Sequence, residues 1–82
     1  MSYLIQQIWK KDGKREKGSF VDSTGEWGEK ISQMKEPFAT VKEARECIPS
    51  MISDYEYVYG QGDTPDYEIV DTLTGMRISG KQ

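Results

Sequence analysis

Thr40-Val41-Lys42-Glu43-Ala44-Arg45-Glu46-Cys47-Ile48-Pro49-Ser50-Met51-Ile52 decides the fold of this chain. Ala44, Cys47, Ile48, Met51 and Ile52 recur at spacings of three and four, which puts them on one helical face. Thr40 and Glu43 form a capping box. The Thr40 hydroxyl can accept from the Glu43 amide, and the Glu43 carboxylate can reach back to the Thr40 amide. Phe38 or Ala39 can staple the chain entry. Pro49 opposes the pattern, because it gives no hydrogen to the Arg45 carbonyl and its ring crowds that turn. The apolar face outweighs it, and the expected helix runs over about 41–54.

Strands flank this helix. Tyr3 to Trp9 is rich in β-branched and aromatic residues and reads as a strand. Lys11-Asp12-Gly13-Lys14 is a hairpin signal, since Asp-Gly suits the positive φ of a tight turn. Arg15 to Asp22 returns as a second strand, and Ser23-Thr24-Gly25 turns the chain again. Trp27 to Met34 alternates weakly and is expected to form an edge strand. Tyr55-Glu56-Tyr57-Val58-Tyr59 alternates like a strand and fits the last turn of the helix equally well. Gly60 to Asp66 is a loop by composition. Tyr67 to Asp71, the turn Thr72-Leu73-Thr74-Gly75 and Met76 to Ser79 read as a closing hairpin, with Gly75 left-handed. The expected fold is therefore α+β. It is a single domain, 1–82, with an antiparallel sheet of four to five strands packed on one helix, roughly ββ(β)αββ. The helix face would cover Ile5, Ile31, Ile69 and Ile78.

Composition excludes much chemistry. The 82 residues contain no histidine and one cysteine, so there is no Ser-His-Asp triad, Cys-His pair or His/Cys zinc set. Cys47 alone forms no internal disulfide and fits a reducing compartment. No run of 18 apolar residues is present, and the first residues do not resemble a signal peptide. A cytoplasmic, non-enzymatic protein is expected, with no cofactor, no metal and no membrane partner. The net charge of −3 argues against general nucleic-acid binding. The charge is uneven: residues 1–35 hold seven basic and five acidic side chains, and residues 36–82 hold four and nine.

Residues 54–71 contain six acidic side chains, four tyrosines and no basic residue. Tyrosine gives contact area at low entropic cost, and carboxylates beside it favour a basic partner. The candidate partner-binding residues are Tyr55, Glu56, Tyr57, Tyr59, Asp63, Asp66 and Glu68. The bland alternative is that half of the tyrosines are core and the acids keep the chain soluble. The acids Asp63, Asp66, Glu68 and Asp71 match no EF-hand spacing. Gly60-Gln61-Gly62 lacks the helix N-terminus and lysine of a phosphate loop. Lys10, Lys11, Lys14, Arg15 and Lys17, with Trp9 and Phe20 nearby, form a second candidate surface that could meet nucleic acid.

The short first strand, the capped helix at Thr40-Val41-Lys42-Glu43, the closing hairpin at Asp71-Thr72-Leu73-Thr74-Gly75 and the lack of a catalytic set carry a resemblance. The chain resembles small acidic proteins of bacteriophages and mobile elements, among them anti-CRISPR and other anti-defence inhibitors. The resemblance implies a non-catalytic inhibitor in the host cytoplasm, bound to a host or defence-system protein through that protein's basic surface. Functional residues differ from one such inhibitor to the next, so none is carried over. Two alternatives stand beside it: a homo-oligomer that binds or sequesters a nucleotide-like ligand, and a nucleic-acid module using the first hairpin.

Overall fold

The computed structural model describes residues 2–62 and 64–80. They form strands β1 (Tyr3–Lys11), β2 (Lys14–Val21), β3 (Trp27–Gly28), β4 (Asp66–Asp71) and β5 (Arg77–Ser79), and one α-helix, α1 (Val41–Tyr59). The sheet is antiparallel with order β3-β2-β1-β4-β5. The α+β architecture is the one the sequence implies. None of the described helices is long and apolar enough to cross a membrane.

Register explains the core. Cross-strand pairing aligns Ile78, Ile69, Ile5, Val21 and Trp27 in one row across all five strands. Ala44 and Ile48 of α1 pack on this row, with Cys47, Met51 and Ile52 alongside. Phe38 also enters this core and pairs its backbone with Tyr3 in both directions, at 2.9 and 2.8 Å. It docks the chain just ahead of the Thr40 cap, whose hydroxyl accepts from the Glu43 amide at 3.1 Å. The reciprocal half of the expected capping box is absent among the described residues.

Two expectations are corrected. Trp27 to Met34 is not a continuous strand. Only Trp27 and Gly28 pair with β2, and Ile31–Gln33 is a short 3-10 helix. The Gln33 side-chain oxygen accepts from the Glu29 and Lys30 amides, which turns the chain off the sheet edge. Ile31 consequently packs with Met34 on Leu4, Phe20 and Val70, away from the helix. The sheet is thus partly covered on both faces. The second correction is helix length. Helix α1 continues to Tyr59, and Gly60, at φ 84°, ends it by donating its amide to the Glu56 carbonyl. Pro49 lies within the helix without breaking it, as the apolar face implied. Pro49 is exposed on the helix surface.

Turn chemistry follows the residues. Asp12 and Gly13 both have positive φ, as a two-residue hairpin turn requires. The buried carboxylates Asp71 and Asp22 each organise a turn. Asp71 Oδ1 accepts from the Leu73 and Thr74 amides. Asp22 Oδ1 accepts from the Thr24 amide, the Thr24 hydroxyl and the Glu26 amide at 3.0, 2.6 and 3.2 Å. Burial pushes the Asp22 carboxyl up. The Thr24 side chain and the Thr24, Glu26 and Glu36 backbones more than offset this and hold it below the usual carboxylate value. The stabilisation from a lowered folded-state pKa is complete above the unfolded value and disappears as pH falls through the folded one. Wild type should therefore melt higher than Asp22→Asn at neutral pH. The gap should close as pH falls below about 4, near the ordinary Asp value. Thermal melts of the two proteins across that range check this. A pH-independent gap would remove Asp22 ionisation from the account.

Candidate partner-binding surface

The C-terminal half of α1 divides its tyrosines between packing and solvent. Tyr55 faces the sheet, with its ring 5.8 Å from Trp9 in an edge-on arrangement. Tyr59 lies one turn on, 4.8 Å from Tyr55. Tyr57, Val58 and Tyr59 are 92%, 66% and 73% exposed, so this turn presents large apolar surface to solvent. Glu56 sits in the same turn and Asp54 just before it, and neither forms an ion pair among the described residues. The last turn of α1 holds no basic residue. Its unpaired carbonyls carry partial negative charge, so the acids here add to the helix dipole instead of opposing it. The whole stretch from Glu46 to Met76 contains no lysine or arginine.

The seven residues singled out from the sequence do not share one surface. Tyr55, Glu56, Tyr57 and Tyr59 lie together at the end of α1. Asp63 lies outside the described residues. Asp66 and Glu68 alternate on β4 with Tyr67 and Ile69 and point away from the helix core. Both are engaged. Asp66 pairs with Lys10 at 3.0 Å, and Glu68 with Arg77 at 3.1 Å and Arg15 at 3.4 Å. Arg77 also donates to Gln6 Oε1 at 2.7 Å, and Gln6 Nε2 donates to the Gly18 carbonyl at 2.9 Å. This network covers the sheet's outer face and neutralises the two acids. Tyr67 is 6% exposed and belongs to the core, where burial pushes its hydroxyl up against a lowering hydrogen bond with Gln7.

The first hairpin changes character too. Two of its five basic side chains, Lys10 and Arg15, are spent on β4 carboxylates. Trp9 packs on Tyr55 and Phe20 is buried, so the aromatics that a nucleic-acid platform needs are turned inward. No group of three or more Cys, Asp or Glu side chains among the described residues is arranged to hold a metal ion.

Trp27 and Asp54 are surface residues here that the candidate set drawn from the sequence omits. Trp27 is 49% exposed on the short β3 strand, at the end of the apolar row that α1 does not reach. A cleft of about 330 Å³ separates it from Met51, Asp54, Tyr55 and Tyr59 of α1. The i, i+4 pair Tyr55 and Tyr59, followed by Gly60 as a helix stop, was the signal that could have placed Asp54 on a helix beside an open edge. No family model, curated protein or solved structure matches the chain, so its surface is read from its own residues.

Proposed function

We propose that this is a non-catalytic binding protein that docks the end of α1 on a basic surface of a partner protein. The observation that carries the reading is the exposed run Tyr57-Val58-Tyr59 beside Asp54 and Glu56, which form no ion pair among the described residues. The exposed faces of Tyr57 and Val58 and the two carboxylates add little to the folding of a monomer. Apolar surface in water and carboxylates at a helix C-terminus both cost free energy. Buried against lysine and arginine side chains, the same groups become tyrosine anchors with charge complementarity. The specific form we propose, on the resemblance drawn from the sequence, is an anti-defence inhibitor of phage type, acting in the host cytoplasm. Its target would be a defence protein whose basic nucleic-acid-binding surface it occludes. Occlusion makes the inhibitor and the nucleic acid mutually exclusive. A partner captured from bacterial lysate should be released by excess single-stranded or duplex nucleic acid, measured by native mass spectrometry. A ternary complex with both bound would contradict occlusion.

A further inference from the structure

The geometry points to an arginine side chain of that partner as the group that enters the cleft between α1 and β3; this rests on the reading that the end of α1 meets a basic protein surface. Trp27, Tyr55, Tyr59 and Tyr67 line the cleft, and Asp54 lies on its helix side. A second cleft of about 350 Å³ adjoins it and shares Val21, Gly25, Met51 and Asp54. Glu46 and Asp22 line this second part, and among the described residues no lysine or arginine lines either. Asp22 itself is buried, and its charge is held by the turn hydrogen bonds to Oδ1. The groove therefore joins flat aromatic walls to the carboxylates of Asp54 and Glu46, which face no lysine or arginine among the described residues.

Those two properties select the occupant. An anionic ligand would meet the carboxylates of Asp54 and Glu46 with no counter-charge among the described lining residues. A neutral apolar ligand would leave Asp54 desolvated and unpaired. A cation satisfies both, through the ring faces and through the carboxylate. Guanidinium fits better than ammonium because it is planar, weakly hydrated, and able to stack while donating a fork to Asp54. The size agrees. About 330 Å³ is at the small end of ligand pockets and suits one long side chain rather than a cofactor. The turn that Asp22 organises leads directly into Trp27, so this buried carboxylate positions one wall of the cleft.

The test uses the acetylated, amidated peptide Gly-Arg-Arg-Gly and the same peptide with citrulline in place of arginine. Citrulline keeps the planar shape and loses the charge. Two-dimensional NMR resolves the indole N–H of Trp27 from that of Trp9. The arginine peptide should shift the Trp27 indole and the Gln7 side-chain amide saturably, and the citrulline peptide should bind at least about tenfold more weakly, as for loss of one charged contact. Trp27→Ala should abolish the response. Tyr59→Ala, an exposed position in the last helical turn, serves if Trp27→Ala melts early. An equal response to both peptides, or none, overturns the inference. A saturable shift confined to Glu56 and Tyr57, with Trp27 silent, also overturns it while leaving the helix-end reading intact. Peptide binding to wild type, together with a partner complex left unchanged by Glu56→Lys at the helix end outside the cleft, would instead break the helix-end reading and keep the cleft.

Discussion

Ile5→Ala is expected to lower folding stability by about 2–5 kcal/mol, the usual range for emptying a fully buried aliphatic site. Ile5 is fully buried at the centre of the row Ile78, Ile69, Ile5, Val21 and Trp27. Strands β2 and β4 hold it on either side and α1 lies over it, so no neighbour can collapse into the vacancy without breaking register. A chain of 82 residues has a total stability on the order of 4–12 kcal/mol. The substitution therefore removes a large share of it. Urea unfolding should show a lowered midpoint with an unchanged slope. Val58→Ala is the matched control. Val58 is 66% exposed and should change stability by no more than about 0.5 kcal/mol. Equal effects at the two positions would mean the apolar row is not the core.

That row also shows what the sequence discloses and what it withholds. Ile5, Ile69 and Ile78 were legible because strand alternation and hairpin turns fix which face each residue takes. Ile31 was not. Its alternation with Gln33 matched a strand, but the Gln33 side chain captures two amides and turns the segment across the other sheet face. A side chain competing for backbone hydrogen bonds leaves no periodic trace. The same holds at Tyr55 to Tyr59. Tyrosine and valine favour strands locally, yet the contact of Tyr55 with Trp9, distant in sequence, keeps the helix going. The candidate surface was legible as composition only. Acids and tyrosines were counted along the chain, whereas β4 alternation turns Asp66 and Glu68 to the outer face and pairs them with Lys10, Arg15 and Arg77. Trp27 gained its place from register, which a single sequence shows only after pairing is known.

The double variant Asp54→Lys/Glu56→Lys is expected to be at least as stable as wild type and to lose partner affinity by about a hundredfold or more, the scale of reversing charges at a desolvated contact. The two signs are independent. Glu56 stands in the last turn of α1, where a cation interacts favourably with the helix dipole, worth about 0.3–1 kcal/mol at an exposed site. Neither carboxylate has an ion-pair partner to lose among the described residues. Stability should thus rise slightly, seen as a higher melting temperature that salt diminishes. Binding should fall because two attractive contacts become repulsive. A residue with only a structural role would lower both quantities together. Reversing Asp66 and Glu68 gives the contrasting pattern: it breaks three cross-strand ion pairs and should lower the melting temperature directly.

Affinity capture from bacterial lysate, run in parallel with the wild-type chain and the Asp54→Lys/Glu56→Lys variant and compared by quantitative mass spectrometry, is the most direct measurement. A protein held in stoichiometric amount by wild type and lost from the folded variant is the predicted result. The same protein held equally by both, or no protein held by wild type, would contradict a binding function at the end of α1.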